Sequence, residues 1–123
     1  SAAYRTNTIH RAPILTLSPT HLEFHPLLET APVRIPWDRG PFLVNIDCPV
    51  VNRDTTKRAH ITTTGSPAPT TIDITCLDLT YAQLQRLIGC FACRPQYRGI
   101  LATDGGVTLV RALIDDKPTD WPA

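Results

Sequence analysis

Thr71-Ile72-Asp73-Ile74-Thr75-Cys76-Leu77-Asp78-Leu79-Thr80-Tyr81-Ala82-Gln83-Leu84-Gln85-Arg86-Leu87-Ile88 changes periodicity halfway along its length. In its first part Ile72, Ile74 and Cys76 alternate with Thr71, Asp73 and Thr75, the pattern of a strand with one buried face. In its second part Leu84, Leu87 and Ile88, continued by Phe91 just beyond it, recur at helical spacing and form one apolar stripe. The junction carries a start signal. Thr80 is a good N-cap, Gln83 three residues on completes a capping box, and Leu79 and Leu84 stand at the two hydrophobic-staple positions. A helix of about three turns is expected over about 80–91. Gly89 weakens or ends it, and Pro95 forbids its continuation.

Upstream, Phe42, Val44 and Ile46 alternate with Leu43 and Asn45, which predicts a strand burying the first three. Val33 and Ile35 begin the same sheet before Trp37-Asp38-Arg39-Gly40 turns the chain. The polar run from Asn52 to Arg58 reads as an exposed loop, and His60 to Thr64 as a strand ended by Gly65-Ser66-Pro67-Ala68-Pro69. Residues 1–41 hold Pro13, Pro19, Pro26, Pro32, Pro36 and Pro41, so no helix persists there. Ile14 to Leu17 and Leu22 to Phe24 are expected as short edge strands joined by Ser18-Pro19-Thr20. The remainder reads as an extended arm that either wraps the domain's own sheet or docks on a neighbouring subunit. Downstream, 97–103 and 107–114 flank Asp104-Gly105-Gly106, a tight-turn signal that predicts a terminal β-hairpin. The expected fold is α+β and mainly β. It is a small antiparallel sandwich or roll over 42–123 with one helix and a C-terminal hairpin, preceded by the proline-rich arm.

A chain of 123 residues fits one domain. Its formal charge of +1 gives no global field to gather nucleic acid or an anionic membrane. With 42% hydrophobic and 19% charged residues it can fold, and 12 prolines against 6 glycines favour extended segments over helices. No apolar run approaches the roughly 18 residues of a membrane span. The first residues lack the apolar core of a secretory signal, and Ser1-Ala2 matches what remains after an initiator Met is trimmed. A complete cytoplasmic product, not secreted, is expected.

Chemistry-bearing residues are sparse. Cys90 and Cys93 have the spacing of half a zinc knuckle, with Cys48 and Cys76 standing apart, so a zinc-stabilised adaptor competes with ordinary free thiols. The Cys pair also falls at the wrong end of its helix for thioredoxin-like chemistry. His21 and His25 have a metal spacing only on a helix, which Pro19 and Pro26 exclude. His10 and His60 stand alone. Ser18 and Ser66 lack nucleophile-elbow glycines, and Asp115, Asp116 and Asp120 read as a solvated strand end. Arg53, Lys57 and Arg58, with Arg94 and Arg98 beside Tyr97, compose a basic set for a small nucleic-acid-binding module. Trp37 and Trp121 lie in proline-flanked irregular segments. An aromatic there is either a core plug under a loop or an anchor in a partner's pocket.

Strand, Leu79-Thr80-Tyr81-Ala82-Gln83-Leu84-Gln85-Arg86-Leu87, a break, then Asp104-Gly105 leading to Val110-Arg111-Ala112-Leu113-Ile114 resembles the tail and tail-tip (distal-tail) proteins of long-tailed bacteriophages. The likeness covers residues 71–118. The resemblance implies a virion structural protein that assembles with copies of itself and neighbouring tail proteins. It implies no enzymatic activity, no cofactor and no catalytic position. Tyr4, Phe24, Trp37 and Trp121 are the expected interface anchors.

Overall fold

The computed structural model describes residues 2–4, 15–25, 31–75 and 77–116. Among them nine strands precede two α-helices. The strands are β1 (Ala2–Tyr4), β2 (Leu15–Leu17), β3 (His21–Phe24), β4 (Val33–Pro36), β5 (Phe42–Asp47), β6 (Val50–Val51), β7 (Asp54–Thr55), β8 (Arg58–Thr62) and β9 (Thr70–Asp73). The helices are α1 (Tyr81–Cys93) and α2 (Gly105–Asp115), and 3₁₀ segments cover Trp37–Arg39 and Pro95–Ala102. All pairing is antiparallel, in a four-stranded sheet β1-β2-β3-β4, a three-stranded sheet β5-β8-β9 and a ribbon β6-β7. The α+β class therefore holds, with more helix than a mainly β sandwich or roll contains.

The helix start forms as its residues dictate. Thr80 Oγ1 accepts from the Gln83 amide at 3.2 Å, and Gln83 Oε1 accepts from the Thr80 amide at 2.9 Å. Leu79 and Leu84 are both buried beside the cap, and Leu84, Leu87, Ile88 and Phe91 form the buried stripe. Gly89 does not end the helix, which runs on to Cys93 and stops where Pro95 opens the 3₁₀ segment.

The last third departs from the expected hairpin. Asp104-Gly105-Gly106 opens α2, and neither glycine has a positive φ. Gly106, Leu109, Val110 and Leu113 are buried at spacings of three, four and seven from Gly106, the same stripe that α1 carries. The glycine serves close packing rather than a turn. A Cβ on Gly106 would stand 3.0 Å from the Ile100 carbonyl oxygen and 3.0 Å from the Leu101 Cα. Gln83 Nε2 and Arg86 Nη2 donate to the Ile114 carbonyl, and Arg86 Nε donates to that of Leu113 at 2.6 Å. These contacts satisfy two carbonyls that a helix end leaves unpaired, and they tie the first half of α1 to the last turn of α2.

The strand of β5 also differs from its expected facing. Leu43 is buried, whereas Phe42 and Val44 are 57% and 43% exposed. The cause is a register shift: Leu43 pairs with Ile61, but Asn45 pairs with His60 and Ile46 with Ala59. One extra residue on β5 keeps Leu43 and Ile46 on the same face and leaves Val44 out of the alternation.

No boundary falls at residue 41 among the described residues. Leu15, Leu17, Leu22, Phe24, Ile35 and Trp37 belong to the same buried cluster as Leu43, Ile61, Ile72, Leu84 and Phe91. β2 and β3 are interior strands of their sheet rather than edges. β4 joins that sheet and not the one containing β5. Trp37 plugs the junction between the sheets and helices: its ring centroid lies 5.6 Å from that of Phe91, and its Nε1 donates to the Ser18 carbonyl at 2.7 Å. The chain then leaves the 3₁₀ turn through Gly40, whose φ of 58° sits in the left-handed region that glycine tolerates.

Candidate functional site

The alternation in β3 sends Leu22 and Phe24 into the core and places His21 and Glu23, followed by His25, on the opposite face. Glu23 is only 9% exposed. Its Oε2 lies 3.1 Å from His21 Nε2 and 3.3 Å from Arg34 Nε, and its Oε1 lies 3.0 Å from His25 Nε2. Arg34 arrives from β4, directly opposite Glu23 in the register. Burial pushes the Glu23 carboxyl upward, but the His21 hydrogen bond and the Arg34 and His25 charges outweigh it, so the group sits below the ordinary carboxylate range. Ser18 Oγ and Thr20 Oγ1 lie 3.0 and 2.9 Å from His21 Nδ1. Ser18 Oγ also accepts from the His21 amide at 3.1 Å and donates to its carbonyl at 3.0 Å, so the hydroxyl closes the β2–β3 turn.

A carboxyl held low in the fold contributes stability that is fully present above its unfolded value and is lost as pH falls through its folded value. Glu23→Gln should therefore cost about 1–2 kcal/mol at neutral pH. The gap from the parent should close as pH drops below the ordinary value of 4.5. Urea denaturation across that range checks it, and a constant gap would contradict the assignment.

The expected basic set does not converge on one surface. Lys57 Nζ donates to the Leu77 carbonyl at 2.9 Å and to that of Leu79, which pins the connection between β9 and α1. Arg98 donates through Nε to the Phe91 carbonyl at 2.7 Å and through Nη2 to those of Ala92 and Trp37, while Nη1 meets Asp38 at 2.8 Å. Two of the five cations are thus committed to main-chain carbonyls. Arg53 stands in the exposed β6–β7 turn with a φ of 70°, and Arg58 lies on β8 opposite Asp47 and Asp73. Arg94 lies over the Tyr97 ring, 5.8 Å from its centroid.

The cysteines are likewise separate. Cys48 and Cys93 are exposed, Cys90 is buried, and Cys76 lies outside the described residues. Burial pushes the Cys90 thiol up, with only partial offset from Arg94, which makes it an unreactive thiol. Among the described residues no group of three or more His, Cys, Asp or Glu side chains is arranged to hold a metal ion. His60 bridges Thr71 and Asp47 on the outer face of the three-stranded sheet.

Of the four expected anchors, Phe24 and Trp37 are core residues, because the sheet that carries them folds against the rest of the chain. Tyr4 lies in β1 with its side chain outside what the structure describes, and Trp121 lies outside the described residues with His10 and Asp120. The apolar groups left at the surface are different ones. Phe42, Val44 and Val50 are exposed, the last at 70%, and they fall within nine consecutive residues. β5, which carries two of them, is an end strand of its sheet. An end strand with apolar neighbours is a template for pairing with another chain. Bulge placement could not be read from alternation, so this surface was hidden in the sequence by an apparently regular Phe-Leu-Val-Asn-Ile pattern. Comparison of the chain with protein-family models, with curated proteins and with solved structures gives no match.

Proposed function

We propose that this chain is a structural subunit that works by assembly with copies of itself, within the tail or tail tip of a long-tailed phage virion. The observation that carries the reading is the exposed apolar run Phe42, Val44 and Val50 on and beside an end strand. A second copy is the natural occupant, because antiparallel pairing of two β5 edges is self-complementary about a two-fold axis. The small net charge offers little repulsion between copies. The phage setting rests on the strand-to-helix part of the resemblance, Thr71 to Leu87. The helix at Gly105–Asp115 stands where that resemblance called for a hairpin.

Burying Phe42 and Val44 contributes roughly 1.5–3 kcal/mol each when the burial is complete. The paired substitution Phe42→Ser with Val44→Ser should therefore raise the dissociation constant of the assembly at least about tenfold. Both residues are exposed, so at concentrations low enough to keep the parent monomeric the variant should share its unfolding midpoint. Sedimentation equilibrium of parent and variant reads the effect. A parent chain that stays monomeric at all accessible concentrations, or a variant that assembles like the parent, contradicts the proposal.

A further inference from the structure

A cleft of about 410 Å³ opens between α1 and the last turn of α2, and no β5 residue lines it among the described residues. Gly89 lies among its lining residues, with Cys90 and Cys93 beside it and Leu113 contributed by α2. Gly89 is a glycine within a 13-residue helix, where it costs stability relative to alanine. No close packing among the described residues demands it, since a Cβ built there meets none of them within 4 Å. Its missing side chain instead enlarges the cleft.

Among the described residues the charged groups lining this cleft are both cations, Arg86 and Arg94, with no acid beside them. Arg86 is fixed by its bonds to the Leu113 and Ile114 carbonyls. Arg94 lies over the Tyr97 ring and has no carboxylate within ion-pair distance among the described residues. A mostly apolar concavity of this size with a cation at its rim has the make-up of a small-ligand site. We infer that this cleft binds a small amphipathic carboxylate, its apolar body lying over Gly89 and against Leu113 and its carboxylate meeting Arg94. The charge selects the anion, and the thiols of Cys90 and Cys93 add polarisable, weakly polar contact to the apolar body.

The test is an amide NMR titration of the full chain with octanoate, with octylamine as the charge-reversed control, both below their micellar concentrations. Saturable octanoate shifts are expected at Gly89, Cys93, Arg94 and Leu113, with octylamine leaving those amides unchanged. Arg94→Gln should weaken octanoate binding by about tenfold. Gly89→Leu should fill the cleft and abolish binding while the remaining spectrum stays that of the folded chain. Absence of saturable shifts at these amides overturns the assignment, as does equal response to octylamine or parent-like binding by Gly89→Leu. If octanoate fails to bind and Gly89→Leu lowers the native mass, a second copy covers the cleft and the ligand assignment is wrong.

Discussion

Trp37→Ala is expected to cost about 3–5 kcal/mol, the range for deleting a large buried aromatic. The indole is buried, packs on Phe91 and donates to the Ser18 carbonyl, so its loss opens a cavity and leaves an acceptor without its donor. Against a total stability of about 5–15 kcal/mol, that change exposes a large fraction of molecules to unfolding at modest urea. Trp37→Phe keeps most of the ring contact and gives up the hydrogen bond, and should cost about 1–3 kcal/mol. Urea denaturation followed by far-ultraviolet circular dichroism measures both. Were Trp37 an anchor for a partner, the alanine variant would change the assembled mass and leave the unfolding midpoint of the dilute, monomeric chain in place.

The second large effect is at Arg98. Removing its guanidinium in Arg98→Ala withdraws donors from the carbonyls of Phe91, Ala92 and Trp37. The first two belong to the end of α1, where no further turn of helix supplies amides. A loss of about 2–4 kcal/mol follows for the two helix-end acceptors that lose this donor, the Trp37 carbonyl keeping the Gly40 amide. Arg98→Lys should recover little of it, because one ammonium cannot match a planar fork that reaches three carbonyls. Asp38 is largely exposed, so its ion pair with Arg98 contributes little and the loss should persist at high salt. A loss that vanishes with added salt would place the energy in that ion pair instead.

How legible these features were depends on the range of the interaction behind each. The start of α1 was readable because Thr80, Gln83, Leu79 and Leu84 act on each other within five residues. The turn at Ser18-Pro19-Thr20 and the strands on either side of it were readable for the same reason. Asp104-Gly105-Gly106 misled because local chemistry suits both a hairpin turn and a close helix approach. The choice was made by Leu101 and Ile100 packing against Gly106 and by the i, i+3, i+4, i+7 stripe from Gly106 to Leu113. Val107 to Ile114 carried an apolar residue at enough positions to satisfy both periods. Trp37, expected as an interface anchor, is a core residue instead, because β4 carries the chain over the sheet and lays the indole on Phe91, a path that local sequence does not specify.

The Glu23 cluster has a local signal in the sequence. His21-Leu22-Glu23-Phe24-His25 alternates polar with apolar at every step, which on a strand places both imidazoles and the carboxylate on one face. Helical spacing, which Pro19 and Pro26 exclude for His21 and His25, does not reveal that arrangement; strand alternation does. The commitments of Lys57 and Arg98 carried no comparable signal. Their acceptors lie 20 and 22 residues away for Lys57, and up to 61 residues away for Arg98. Charge alone made them look like part of a surface set.

The central claim is that the described strands of residues 1–41 and the helical half of the chain share one core. Native-state hydrogen exchange tests it most directly, through the amides of Leu17, Leu22, Phe24, Ile35 and Trp37 read beside those of Leu87, Ile88 and Phe91. Shared burial predicts that the hydrogen-bonded amides of both groups exchange with the same opening free energy, equal to that of global unfolding. Rapid exchange throughout β2 to β4, with α1 still protected, would contradict it and return the N-terminal third to the status of an arm.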